Sequence, residues 1–288
     1  MKALPISFLA RARIYSKRLT WQLVALLIMI SIVLTGCRLR SRVGNATITI
    51  AGSTSVQPFI ELLAEEYARS YPDRPAVNVQ GGGSSAGGRA VLTEVAQIGM
   101  LSRQPEGPEQ ELTVIPVAYD ALAVVVNPQN PISALSSNKI RAIFSGAVAQ
   151  WSELDQTKGR IHIVSREEGS GTRAAFDSLI MANADVAARA IVQDSNGAVR
   201  EIVAHDPHAI GYISLGLVNH RVKAIQVDKV QPTQANCRAG KYTLVRPFLF
   251  VVKEPLDAAS QEFIDFVLSE YGQKLLAEHG LVAVNSNS

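Results

Sequence analysis

Apolar positions along this chain follow two rhythms that take turns. Short strand-like runs occur at Thr47–Ala51, Ala76–Gln80, Gln97–Leu101, Leu112–Ala118, Ala121–Asn127, Ile161–Val164, Ala209–Ile213, Val222–Val227 and Tyr242–Val252, the last interrupted by Pro247. Between them the spacing lengthens to that of helices: about Val56–Tyr71, with Phe59, Leu62, Leu63 and Tyr67 on one face, then Ser85–Val95, Asn138–Phe144, Arg173–Ala182, Ala198–Ala204, Ala258–Leu268 and Tyr271–His279. Pro72 helps end the first helix, Asn127-Pro128-Gln129-Asn130-Pro131 reads as a loop, and Leu281–Val284 as a last short strand. Such alternation predicts an α/β fold with mostly parallel sheets. Two alternating units suggest two lobes with a cleft between them, where ligands meet the carboxyl ends of the strands.

The N-terminus stands apart from this pattern. Lys2, Arg11, Arg13, Lys17 and Arg18 precede an apolar run from Leu23 to Leu34, too short to span a bilayer comfortably. It ends in Leu34-Thr35-Gly36-Cys37, which looks like a bacterial lipobox, so residues 1–36 are expected to be a lipoprotein signal peptide and Cys37 the lipidated residue. Residues 37–46 then form a tether. Loss of those five basic residues leaves 23 Lys and Arg against 25 Asp and Glu, so the formal charge of +3 becomes −2. That balance argues against a nucleic-acid binder working through a broad cationic surface. Cys237 is the only other cysteine, which excludes an intrachain disulfide if Cys37 carries lipid, and excludes a cysteine metal cluster.

Three turns carry the candidate chemistry. Gly52-Ser53-Thr54-Ser55, Gly81-Gly82-Gly83-Ser84-Ser85-Ala86-Gly87 and Gly169-Ser170-Gly171-Thr172-Arg173 each link a strand to a helix. Unpaired N–H groups and partial positive charge at a helix start favour anions, hydroxyls add donors, and glycine permits close approach. Thr54, Ser55, Ser84 and Ser85 come from the first two turns, and Ser102 and Arg103 from the end of a third strand. From the second lobe come Arg166, whose guanidinium can clamp an oxyanion, and Ser170, Gly171 and Thr172. Arg173, one turn into its helix, faces either solvent or a carboxylate. Any one of these hydroxyls would serve equally as a plain N-cap, and the arginines as ordinary ion-pair formers; the joint pattern favours one small oxyanion.

The same residues carry a family resemblance. ITIAGSTSVQPFIELLAEEY, VQGGGSSAGGRAV, QIGMLSRQP, AVVVNPQNPI, IRAIFSGAVAQW, IVSREEGSGTRAAF, AIGYISLG and GKYTLVRPFLFVV, spread from Thr47 to Val252, resemble the phosphate-binding proteins of bacterial phosphate ABC importers, in lipoprotein form. The resemblance implies a type II periplasmic-binding-protein fold: two α/β lobes, a central ligand cleft and two crossover segments, near Val125–Pro128 and Arg246–Phe250. Residues 47–126 with 247–288 would form one lobe and 127–246 the other. It implies a monomeric binder of inorganic phosphate that needs no cofactor or metal, is anchored through lipid on the extracytoplasmic side, and hands its cargo to permease subunits. Phosphate contacts carried over are Thr54, Ser55, Ser84, Arg166, Ser170, Gly171 and Thr172. Ser102 stands where some members have an Asp that accepts the proton of phosphate, so Asp120, Glu167, Glu168 or a Ser hydroxyl is expected to supply the acceptor instead.

Other readings compete. Sulfate or molybdate would suit the same turns, and a lipid-anchored phosphate sensor the same fold. Gly83-Ser84-Ser85-Ala86-Gly87 matches the nucleophile elbow of a serine hydrolase with Ser85 as nucleophile, but no HGGG-type oxyanion segment lies upstream. No P-loop follows any glycine cluster, and the five histidines lack metal-ligand spacing.

Overall fold

The computed structural model describes residues 47–154, 159–182 and 184–284. The expected signal peptide, Cys37 and the expected tether lie outside the described residues. The first half of the described chain runs β1 (Thr47–Gly52), α1 (Gln57–Ser70), β2 (Ala76–Gly81), α2 (Ser84–Leu92), β3 (Ile98–Leu101), β4 (Thr113–Val126), β5 (Ala134–Leu135) and α3 (Ser137–Phe144). It continues through β6 (His162–Arg166), α4 (Gly171–Phe176), β7 (Ile191–Gln193), α5 (Asn196–His205), β8 (Ala209–Ser214), β9 (Lys223–Ala224), β10 (Gln226–Val227) and α6 (Gln234–Arg238). The chain returns through β11 (Val245–Val252), α7 (Ala258–Leu268), α8 (Glu270–Glu278) and β12 (Val282–Ala283).

The main sheet has the order β2-β1-β3-β11-β4-β8-β6-β7. Its flanks are parallel: β1 pairs with β2 and β3, and β6 with β7 and β8. Its middle is not, because β11 runs antiparallel to both β3 and β4, and β4 antiparallel to β8. The expectation of mostly parallel pairing therefore fails at the centre. There the chain crosses outward on β4 and returns on β11, and two crossings in opposite senses pair antiparallel.

Two main cores flank this seam. Phe59, Ile60, Leu63 and Tyr67 of α1 pack with Ile98, Met100, Val117, Ala118, Phe248 and Phe250 in one. Ala121, Leu122, Ile140, Phe144, Trp151, Phe176, Tyr212 and Leu244 pack in the other. Smaller clusters extend the two cores, the one holding Ala123 and Val125 lying with β8 and α5. Of residues 121–126, grouped with the first lobe on sequence, Ala121, Leu122, Val124 and Val126 pack in the second core, and Ala123 and Val125 in the smaller cluster with β8 and α5.

Some elements differ in kind from their sequence expectation. β4 is one strand of 14 residues, not two, since Tyr119 and Asp120 continue the ladder opposite Pro247 and Arg246. Pro247, which cannot donate to a ladder, sits where β3 no longer flanks β11, as β3 pairs only from Leu249 onward. The helix expected over 173–182 is α4 followed by a π-helical turn, Asp177–Met181, closed by left-handed Ala182.

Candidate functional site

The three glycine-hydroxyl turns meet at the seam between the two cores. From the first lobe, Ser53 Oγ donates to Ser102 Oγ at 2.8 Å. Ser84 Oγ accepts from the Ser102 backbone N–H at 3.1 Å and lies 3.4 Å from Ser102 Oγ. The second lobe arrives opposite: Thr172 Oγ1 is 2.6 Å from Ser55 Oγ, and Arg166 Nη2 donates to Thr54 Oγ1 at 3.2 Å. The Ser85 N–H donates to the Gly169 carbonyl at 3.2 Å, a backbone clasp between the turns. Ser55, Ser84, Ser102, Arg166, Ser170 and Thr172 are all buried. Gly171 approaches so closely that a Cβ there would overlap Ser84 Oγ and stand 2.6 Å from Ser102 Oγ.

Local structure explains these positions. Ser170 is the N-cap of α4, its Oγ accepting the Arg173 N–H, so this hydroxyl serves the helix. Arg166 ends β6, whose last residues are held by Tyr212: the phenol lies 2.8 Å from Ser165 Oγ and accepts the Arg166 N–H at 3.2 Å. Phe176 stacks flat on the Tyr212 ring at 3.9 Å. Arg173 takes the carboxylate alternative, binding both oxygens of Asp177 and the Arg166 carbonyl.

Arg103 and the Ser85 hydroxyl are not brought into this cluster. The Arg103 fork grips Glu109 at 2.6 and 3.0 Å, and its Nη2 donates to Ser85 Oγ at 2.9 Å. A buried carboxylate captures the guanidinium by bidentate geometry, so the pair fastens the start of α2 to the end of β3. The same contact bears on the hydrolase reading, because the partner of Ser85 Oγ is a guanidinium, which cannot accept a proton.

The carboxylates are spoken for. Asp120 Oδ2 accepts from Arg246 Nε and Nη2 at 3.0 and 2.9 Å, and Oδ1 from Ser214 Oγ at 2.8 Å. Burial pushes the Asp120 carboxyl up, against the pull of Arg246 and Ser214. Glu167 holds Arg166 Nε and Nη2 at 3.1 and 2.9 Å, and Glu168 is exposed.

Sequence reasoning missed Arg246 and Asn196. Asn196 Nδ2 and Arg246 Nη2 donate to Ser55 Oγ at 2.8 and 3.1 Å. The signal for Arg246 was a charge inside the apolar run Tyr242–Val252, with Asp120 between the runs Leu112–Ala118 and Ala121–Asn127; the two lie directly opposite in the β4–β11 register. Among the described residues, four buried side-chain polar atoms lack a partner, and two of them are Arg166 Nη1 and Arg246 Nη1. Buried hydroxyls around two guanidiniums with spare N–H groups can surround an anion with donors.

Comparison with known proteins shows the family. Residues 41–271 match the model of a PBP superfamily domain. The chain is 31% identical over 246 residues to the phosphate-binding protein PstS of Bacillus subtilis (strain 168), covering 83% of this chain and 81% of that one. A Clostridium perfringens substrate-binding protein assigned to phosphate ABC transport, solved with bound phosphate, superposes with a TM-score of 0.80 at 36% identity, over 83% of this chain and 100% of that one. An ABC-type phosphate transport receptor from Vibrio cholerae gives a TM-score of 0.68 at 39% identity, over 82% and 99%. The chain belongs to the PBP superfamily and, within it, to the family of phosphate-binding PstS proteins.

Proposed function

We propose that this protein binds inorganic phosphate non-covalently between its two lobes and delivers it to the permease of an ABC importer. The observation that carries this reading is the buried hydroxyl cluster around Arg166, closed from both lobes and holding an unpartnered guanidinium N–H. Thr54, Ser55, Ser84, Arg166, Gly171 and Thr172 are the contacts it assigns, with Ser102 behind Ser84. With Asp120 and Glu167 each engaged by an arginine, serine hydroxyls are the acceptors this reading assigns to a protonated ligand. Such a site binds and releases its ligand unchanged, with no reaction.

The similarity to importer binding proteins supports an extracytoplasmic location. Among the described residues no helix is long and apolar enough to cross a membrane. The lipobox-like sequence at Cys37 supports a lipid anchor, with the folded part acting as a monomer at the membrane face.

Calorimetry with phosphate, sulfate, molybdate and arsenate tests the reading. Phosphate is expected to bind tightly and sulfate weakly. Arg166→Ala and Thr172→Val are each expected to weaken phosphate binding by about 1–3 kcal/mol, as for a hydrogen bond to a charged group. Tighter binding of sulfate or molybdate would reassign the cargo; unchanged affinity in both variants would remove the site assignment.

A further inference from the structure

The two arginines of the cluster come from different parts of the fold. Arg166 closes β6, while Arg246 sits on β11, one of the two strands that cross the seam. Arg246 is 2% exposed. Its Nε and Nη2 engage Asp120, its Nη2 also reaches Ser55 Oγ, and its Nη1 is buried with no acceptor. A role limited to neutralising Asp120 uses Nε and Nη2 and leaves Nη1 without purpose. An orphaned buried donor is costly, so native structures keep few of them, and an incoming acceptor relieves that cost.

Ser55 adds a second line of argument. Its Oγ receives N–H groups from Asn196 Nδ2 and Arg246 Nη2 and lies 2.6 Å from Thr172 Oγ1. A hydroxyl has two lone pairs and one proton. With both lone pairs taken by nitrogen donors, the Ser55 proton goes to Thr172 Oγ1, and the Thr172 proton is left to point elsewhere. Arg246 thereby sets the direction of the hydroxyl pair as well as presenting a free N–H.

We propose that Arg246 is a second guanidinium for the bound oxyanion, acting directly through Nη1 and indirectly through the Ser55–Thr172 hydroxyl pair, so that a strand crossing between the lobes is itself part of the site. This rests on the reading of the cluster as a phosphate site. The like charges of Arg166 and Arg246 are each offset by one carboxylate, Glu167 and Asp120, and the anion binds to both forks at once.

The test is calorimetric titration of inorganic phosphate into the full chain in detergent and into two variants. In Asp120→Asn with Arg246→Gln, a neutral amide pair replaces the ion pair, so no uncompensated charge is buried. Arg246→Lys keeps a cation beside Asp120 but removes the fork. Both variants are expected to bind phosphate about tenfold more weakly or worse, with thermal melting confirming that they fold. Affinity within about threefold of the unsubstituted chain in either folded variant would reduce Arg246 to a partner of Asp120 and overturn the inference. An unsubstituted chain that binds no phosphate would instead sink the phosphate reading, and this inference with it.

Discussion

Ser55 shows how much one side chain can depend on residues far away in sequence. Its oxygen gathers groups from Thr172, Asn196 and Arg246, separations of 117, 141 and 191 residues. From the sequence it was a small hydroxyl before a helix, an expected oxyanion contact at a place where capping is the ordinary role. Cys237 is the opposite case, since its character follows from being one apolar-leaning thiol among polar neighbours. It is half-buried on α6 against the second core, and burial pushes its thiol up to about 11 from 9.0. The raised value keeps the thiol protonated through neutral pH, with about a hundredfold less thiolate than an unperturbed cysteine. Alkylation of the Cys237 peptide by iodoacetamide, followed by mass spectrometry at pH 8, is therefore expected to be slow in the folded protein and fast in urea, the folded rate climbing toward pH 11. Equal rates in the two states at pH 8 would contradict this.

Among elements, the turns were legible because glycine and hydroxyl residues announce them locally. The antiparallel pairing at the centre of the sheet was not, because it joins β4 to β11, with the paired Asp120 and Arg246 126 residues apart. β4 reads as two runs since Asp120 interrupts its apolar pattern, and only its partner Arg246 on β11 explains why a carboxylate can lie in a buried strand. Likewise the π-helical turn after α4 has no sequence mark of its own. α2 illustrates what close packing demands. A Cβ at Gly87 would stand 2.7 Å from both the Ala51 carbonyl oxygen and Gly52 Cα, backbone atoms that have no freedom to give way. Gly87→Ala is thus expected to cost about 1–3 kcal/mol by forcing α2 away from β1. Differential scanning calorimetry should show a melting temperature lower by several degrees; an unchanged or higher value would mean that α2 yields freely.

At the scale of the whole molecule, the proposed reading couples phosphate binding to lobe closure. Thr172 meets Ser55, Arg166 meets Thr54, and Gly169 meets Ser85 where the second lobe's turn enters the first. Gly171 is the closest point of that entry. Gly171→Ala is expected to leave each lobe folded but hold them apart, because its Cβ would occupy space filled by Ser84 and Ser102. Phosphate affinity should fall by about tenfold or more, and small-angle scattering should show no contraction on adding phosphate. Normal affinity with normal contraction would show that the serines rotate aside.

The sequence by itself determined the α/β class, the three anion-competent turns and the family, because these depend on local periodicity, turn chemistry and residue order. Only the tertiary structure decided which hydroxyls and cations meet. It sent Arg103 to Glu109 and brought Arg246 to Ser55, since a long charged side chain goes to whichever buried partner the packing places within reach. The antiparallel seam was likewise a tertiary decision: the direction of a crossing strand is set by where the chain must go next, and nothing in its apolar pattern records that.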